Sequence, residues 1–228
     1  MHPLDNCIWR ALTTSQAHLG EKRESACKFH KEVSLLGGME DATARSYACL
    51  ISLLATGERV GLFLDETPEP AAGWKVITSV PLLEMACENG RSSRAEQEET
   101  IPLVALSDAD VPEMMALVEM TKPGPFGLRT REMGDYFGIR DGDKLVAMAG
   151  ERLRIPGYTE ISAVCTHPEY LGRGYAGALI RLLMERIHRR GEHSFLHVRP
   201  ENERAVRLYE KLGFEKRLLS SYVILQKE

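Results

Sequence analysis

No two cysteines of this 228-residue chain stand closer than twenty positions, and there are only five: Cys7, Cys27, Cys49, Cys87 and Cys165. That spacing excludes a CxxC metal or redox site, and the odd number argues against a disulfide framework. Long apolar runs are missing as well. The longest nearly unbroken one, Tyr47 to Ala55, is far too short to span a bilayer. The opening residues, MHPLDNCIWR, lack the basic stretch and apolar core of a secretory leader. Internal repeats and low-complexity tracts are absent too. Together these absences set the expectation of a globular protein in a reducing cytoplasm, with no membrane contact and no metal site.

What is present is ordinary in amount and uneven in placement. Hydrophobic residues make up 43% and charged residues 27%, for a net charge of −4. Residues 1–100 carry 10 Lys and Arg against 15 Asp and Glu, whereas 173–217 carry 11 against 6. An acidic chain with one basic stretch suits a small polyanionic ligand better than a nucleic-acid backbone, so no nucleic-acid partner is expected. The bland alternative is a solvated face of two helices. Glu88 to Thr100 is almost free of apolar residues and reads as a surface linker, dividing the chain into regions 1–98 and 101–228.

In the first region Lys31–Leu36 reads as a strand, Ala42–Ala55 as a helix and Arg59–Leu64 as a strand, before a turn at Glu69–Gly73. This small α/β unit carries no recognisable chemistry. In the second region Ile101–Leu106 reads as a strand. Asp110, Pro112 and Glu113 resemble a capping box that opens a helix with Met114, Leu117 and Val118 on its apolar stripe. Apolar runs at Phe137–Ile139 and Leu145–Ala149 flank Asp141-Gly142, a hairpin signal. Glu160–Thr166, Ser194–Val198 and Tyr222–Leu225 read as strands, with helices at Gly174–Arg190 and Asn202–Leu212. A hairpin followed by β-α-β-α-β predicts an α/β (α+β) protein with a mixed sheet.

The most informative segment is Val164-Cys-Thr-His-Pro-Glu-Tyr-Leu-Gly-Arg-Gly-Tyr-Ala-Gly-Ala-Leu179. A strand ends near Thr166, and glycines at 172 and 174 precede a long helix. Glycines admit a ligand close to the backbone, and a helix start offers unpaired N–H donors at the positive end of its dipole. A pyrophosphate is the natural guest; the bland reading is a simple turn. The same letters also satisfy a dinucleotide fingerprint, Gly172-x-Gly174-x-x-Gly177, with Glu192 beyond it. Context argues against that alternative, a Rossmann-type nucleotide-binding protein. Residues 167–171 intervene between strand and glycines, and Glu192 precedes the next strand instead of ending it.

His167-Pro-Glu-Tyr-Leu-Gly-Arg-Gly-Tyr-Ala176, followed by Asn202-x-x-Ala205-x-x-Leu208-Tyr209-x-x-Leu212-Gly213-Phe214, resembles the GNAT N-acetyltransferase superfamily. The first block is similar to its acyl-CoA pyrophosphate motif, commonly Arg/Gln-x-x-Gly-x-Gly/Ala. Here Leu171 fills the Arg/Gln position, which loses one side-chain contact but none of the backbone donors. The wording of Ile161–Pro168 and Phe195–Val198 most resembles the branch related to glycine N-acyltransferases. In that branch the first hundred residues are often a degenerate GNAT-like half.

The resemblance implies direct transfer of the acetyl group of acetyl-CoA to an amine acceptor. It implies that Leu171, Gly172, Arg173, Gly174, Tyr175, Ala176 and Gly177 hold the pyrophosphate. Backbone groups of Val164, Cys165 and Thr166 would bind the pantetheine arm, and Asn202 and Tyr209 would bind further along. Tyr209 is the implied general acid for the departing thiolate; its bland reading is a core aromatic. Glu160 is the candidate base, acting through water, and its alternative is an exposed strand-end carboxylate. Asn202 also reads as an N-cap. Arg173, Arg204, Arg207 and Lys211 are candidates for the CoA phosphates. His167, His188, His193 and His197 read as ordinary surface or strand residues, and Cys165 as a small core residue. Residues 101–135 with the first region would line the acceptor pocket, under the loop Lys122–Phe126. A catalytically silent acyl-CoA-binding module is the remaining alternative.

Overall fold

The computed structural model describes residues 2–66, 72–88 and 101–228. Most of the expected linker, residues 89–100, and part of the turn at Glu69–Gly73 lie outside the described residues. The chain opens with helix α1 (Cys7–Thr13). Strands β1 (Gly20–Arg23), β2 (Ala26–Phe29) and β3 (Gly37–Met39) follow as a small antiparallel sheet in that order. Helix α2 (Ala44–Ser52) starts at Thr43, whose hydroxyl accepts from the Ser46 N–H. It leads to β4 (Arg59–Leu64) and the long β5 (Trp74–Cys87).

The remaining elements are β6 (Val104–Ala105), α3 (Val111–Thr121), β7 (Tyr136–Asp141), β8 (Lys144–Ile155), β9 (Tyr158–Thr166), α4 (Tyr175–Arg189), β10 (His193–Val198), α5 (Glu203–Lys211) and β11 (Glu215–Lys227). Eight of these strands form one sheet in the order β4-β11-β5-β10-β9-β8-β7-β6. Its neighbours pair antiparallel except β9 and β10, which run parallel because α4 carries the chain back across the sheet. Two strands from the first hundred residues thus complete the sheet of the second region, and β5 lies between β10 and β11.

Side chains alternate across these strands, so each face has its own core. On one face α4 presents Leu179, Ile180, Leu183 and Ile187, all buried, to Val146, Ile161, Leu196 and Val198. Each such side chain taken fully from water contributes roughly 1.5–3 kcal/mol. On the other face α1 and β2 set Ile8, Leu12 and Phe29 against Leu153, Tyr158 and Phe195.

Several sequence expectations need correction. Lys31–Leu36 forms no strand; β2 and β3 lie on either side of it, with Gly37 and Gly38 in β3. The capping box lies three residues earlier than expected. The Ser107 hydroxyl and N–H both engage the Asp110 carboxylate, while Asp110 and Glu113 pair with Arg140. Strand Ile101–Leu106 shrinks to Val104–Ala105, and the closing strand grows from Tyr222–Leu225 to Glu215–Lys227 because it is paired on both sides. The hairpin at Asp141-Gly142 stands as expected, with Gly142 at φ +58°.

Candidate functional site

Strands β9 and β10 are in parallel register only at their first residues, from His193↔Tyr158 to Phe195↔Glu160. Beyond that point Ile161–Thr166 and Leu196–Val198 are no longer paired to each other, so their facing backbone edges border a V-shaped opening. A register shift against β8 falls within Ser162–Cys165, where Ala163 takes φ +50°. A non-glycine residue held in this left-handed region is strained, and such bulges re-aim a strand near functional sites. No residue type announces this feature, and sequence reasoning missed it.

At the mouth of the V the chain turns through the short helical turn Pro168–Tyr170 into the glycine loop. Gly172 and Gly174 take φ +83° and +80°, and a Cβ built on either meets nothing within 4 Å. The conformation therefore demands glycine, and the space over the loop is open. Helix α4 begins directly after Gly174 with no side-chain cap and no acidic residue in its first turn. Its first N–H groups thus have no side-chain cap, and unpaired donors at the positive end of a helix are the kind of group that can hold an anion. Leu171 is 51% exposed beside the loop. Arg173 stacks over the Tyr170 ring, 4.5 Å from its centroid, and Arg207 pairs with Glu203 at 2.9 Å.

Asn202 caps α5, its side-chain oxygen accepting from the Ala205 N–H at 3.2 Å. Tyr209, two turns on, is only 8% exposed and packs edge-on against Phe214. Burial pushes its phenol up to about 12. Cys165 is buried as expected, and burial likewise raises its thiol to about 12, which suits a core residue and not a nucleophile.

Glu160 is neither an exposed carboxylate nor one open to a water relay. It is 0% exposed. Arg152 grips it with Nε at 2.8 Å and Nη2 at 2.5 Å, and His197 Nδ1 lies 2.7 Å away. Burial alone would raise its pKa, but the Arg152 charge and hydrogen bonds outweigh that and lower it to about 2. A carboxylate held this way is a poor acceptor for a proton from an ammonium near neutral pH. Its expected role as base does not fit its surroundings.

His197 needs correction too. It is buried between two carboxylates, with Nε2 at 3.5 Å from Glu84, while Phe63 packs on its ring at 4.4 Å. Burial disfavours the imidazolium, but the hydrogen bonds to Glu160 and Glu84 raise its pKa overall. Glu84 in turn bonds Arg217, which also holds Asp5 at 2.7 Å. The result is a chain of alternating charge, Arg152–Glu160–His197–Glu84–Arg217–Asp5, running across β8, β9, β10, β5 and β11. Donor atoms of Cys7, Glu84 and His197 lie within 4.8 Å of one another, close enough to share a metal ion. His197 Nδ1 and the other Glu84 oxygen already have partners in the chain, Glu160 and Arg217. Sequence gave no hint of this network, whose members are spread from position 5 to position 217.

Two hollows open on this same face. A small one lies between Pro123–Phe126 and Arg152, Ser162 and Ala163 of the strained bulge. Pro123–Phe126 of the expected loop line this small hollow beside the bulge, and no residue of the loop lines the larger one. The larger, about 660 Å³, is walled by α1, β3 and β4 and floored by Glu84 and His197. Residues 101–135 contribute nothing to it.

This arrangement, a mixed sheet parted beside a glycine loop and a long helix, is the GNAT acyl-CoA N-acyltransferase fold. The family model described as FR47-like protein matches residues 136–223. Over 100% of both chains the protein is similar to a putative acetyltransferase from the GNAT family from Novosphingobium aromaticivorans, with 36% identity and a TM-score of 0.89. It is 36% identical over 101 residues to the N-alpha-acetyltransferase RimI of Mycobacterium tuberculosis, covering 41% of this chain and 63% of that protein. It is 32% identical over 94 residues to the mycothiol acetyltransferase of Corynebacterium glutamicum, covering 41% and 32%. The chain spans less than two thirds of the length of these curated relatives. It belongs to the GNAT family. Among the described residues no helix is long and apolar enough to cross a membrane.

Proposed function

We propose that this protein transfers the acetyl group of acetyl-CoA directly to an amine. The observation that carries the reading is the open Gly172–Gly174 cradle set at the mouth of the β9–β10 opening. Acetyl-CoA is a substrate here, and its thioester supplies the activated acyl group. N–H groups of Gly172–Gly177 hold its diphosphate. The freed backbone of Val164, Cys165 and Thr166 takes the pantetheine arm as an added strand.

Tyr209 is the proposed proton donor to the departing thiolate. Its raised pKa does not remove it from that role, because a thiolate leaving into the same poorly hydrated surroundings is destabilised in parallel. The amine proton leaves through water, since Glu160 is committed to Arg152 and His197. Of the four candidate cations, Arg204 on exposed helix surface is the one assigned to a CoA phosphate, as Arg173, Arg207 and Lys211 each already interact within the chain.

The test is calorimetric titration with acetyl-CoA, NAD and NADP, followed by thiol release in the presence of a panel of amines. Binding of acetyl-CoA alone, with amine-dependent thiol release, supports the reading. Binding without release under any amine favours the silent module, and preference for NAD or NADP overturns both.

A further inference from the structure

The large hollow has a chemistry of its own. Five carboxylates line it, Asp5, Asp41, Asp65, Glu66 and Glu84, and no Lys or Arg is among its described lining residues. Arg217 stands behind it against Asp5 and Glu84, and His197 adjoins Glu84. Counting both as cations, carboxylates still outnumber them. The walls between are apolar: Leu4, Ile8, Met39, Leu62, Phe63 and Leu218. A volume of about 660 Å³ lies within the range of small-molecule sites.

Its position matters as much as its lining. His197, in the floor, is two residues beyond Phe195, where β10 parts from β9. The hollow therefore reaches the V from the face opposite α4 and α5. The glycine loop and the basic stretch serve an anion on the α4 side; the hollow repels one. A CoA phosphate cannot be its occupant.

Resting on the acetyl-transfer reading, we infer that this hollow holds the acceptor, and that the acceptor is a small primary amine with an apolar body and no carboxylate of its own. Glu84 is 2% exposed, and the contact of its Oε2 with His197 is a long one, 3.5 Å, that engages one side of that oxygen. That oxygen keeps capacity to accept from an ammonium. A carboxylate on the acceptor would instead enter a lining crowded with like charge, where the nearby Arg217 is already engaged by Asp5 and Glu84. Free amino acids, glycine included, are thereby excluded as good acceptors. In the reaction the ammonium first loses one proton to water. The amine nitrogen then bonds the acetyl carbon, the C–S bond breaks with its electron pair on sulfur, and the thiolate takes up a proton as the nitrogen loses its second. The balance is amide, free CoA thiol and one proton released.

The experiment separates binding from transfer. Phenethylamine and tryptamine are titrated into the full chain without acetyl-CoA, beside phenylalanine, tryptophan and glycine, and acetyl-CoA binding is measured separately. The expected result is that both arylalkylamines bind at least tenfold tighter than the amino acids, with the same order in kcat/KM by thiol release. Glu84→Gln should raise the amine KM about tenfold while acetyl-CoA affinity is unchanged. Because Glu84 also bonds Arg217, the exposed pair Asp65→Asn/Glu66→Gln provides a second arm, with a few-fold rise in the same KM. Equal or better binding of amino acids overturns the inference, as does acetylation of peptide N-termini alone or an amine KM unmoved in both variants. If the amines bind as expected but acetyl-CoA does not, the hollow is a cation site and the acetyl-transfer reading is what fails.

Discussion

On one face of the large sheet, α4 and α5 bring an apolar stripe, an open glycine loop and an excess of arginine. On the other, the strands carry buried carboxylates held by Arg152, His197 and Arg217, with an acidic hollow above them. The first face is built from residues close together in sequence, the second from residues up to two hundred positions apart. If the two proposed ligands bind as inferred, one sheet meets an anionic and a cationic partner on opposite faces. On the second face each buried charge is paired with an opposite one, which shortens the reach of its field, and on the exposed first face water and salt screen the arginines.

The sharpest way to break this comparison is to remove the centre of the charge chain. Glu160→Ala leaves Arg152 and His197 buried without their shared carboxylate. A cost of about 3–5 kcal/mol is expected, lowering Tm on the order of 10 °C by calorimetry. A loss below about 1 kcal/mol would show that water or rearranged partners replace it. On the opposite face Tyr209→Phe keeps the ring packed on Phe214 and removes only the proton. Turnover is expected to fall about 10²-fold at near-native Tm and acetyl-CoA affinity, read by thiol release with a working amine. Unchanged turnover would assign protonation to water, and unfolding would make Tyr209 a core residue only.

Gly174→Glu sets a carboxylate, and a strained positive φ, into the anion cradle. Acetyl-CoA binding should weaken by about 30-fold, or ~2 kcal/mol, with amine binding to the far face unaltered. Equal affinity in a folded variant would move the diphosphate elsewhere. The smallest effect is in pH. Glu160 titrates lower in the folded protein than its usual 4.5, so its contribution is present above that value and lost as pH falls towards about 2. His197 titrates higher than its usual 6.5, so its contribution is complete below that value and lost as pH rises through its folded pKa. Denaturant midpoints of the wild type should therefore peak between about pH 5 and 6.5. In Glu160→Gln the acid limb should flatten, and a profile identical to wild type would refute the buried chain as its source.

Local signals reached the first face and stopped at the second. The Asp141-Gly142 turn, the 3.6-residue stripe of α4, the Gly172–Gly174 loop and the Asn202 cap are each encoded within a few residues, and each stands where expected. Glu160 and His197 were legible as residues but not as a pair, because β9 and β10 come together only through the crossover by α4. Glu84 was passed over altogether. Its strand, β5, reads as a mixed run containing Thr78, Ser79 and Pro81, with no clear period to mark a strand of the large sheet.

By itself, the sequence determined the element types of the second region, the glycine conformation at 172 and 174, and the membership of the chain in its family, all matters of short-range backbone preference and motif spacing. Only the tertiary structure decided that β5 is inserted between β10 and β11. That placement gives Glu84 to His197, closes the acidic hollow beside the β9–β10 opening, and turns a proposed base into one link of an ion-pair chain. Such outcomes depend on which distant groups share a region shielded from water, where an unpaired charge is costly and its partner can come from any point along the chain.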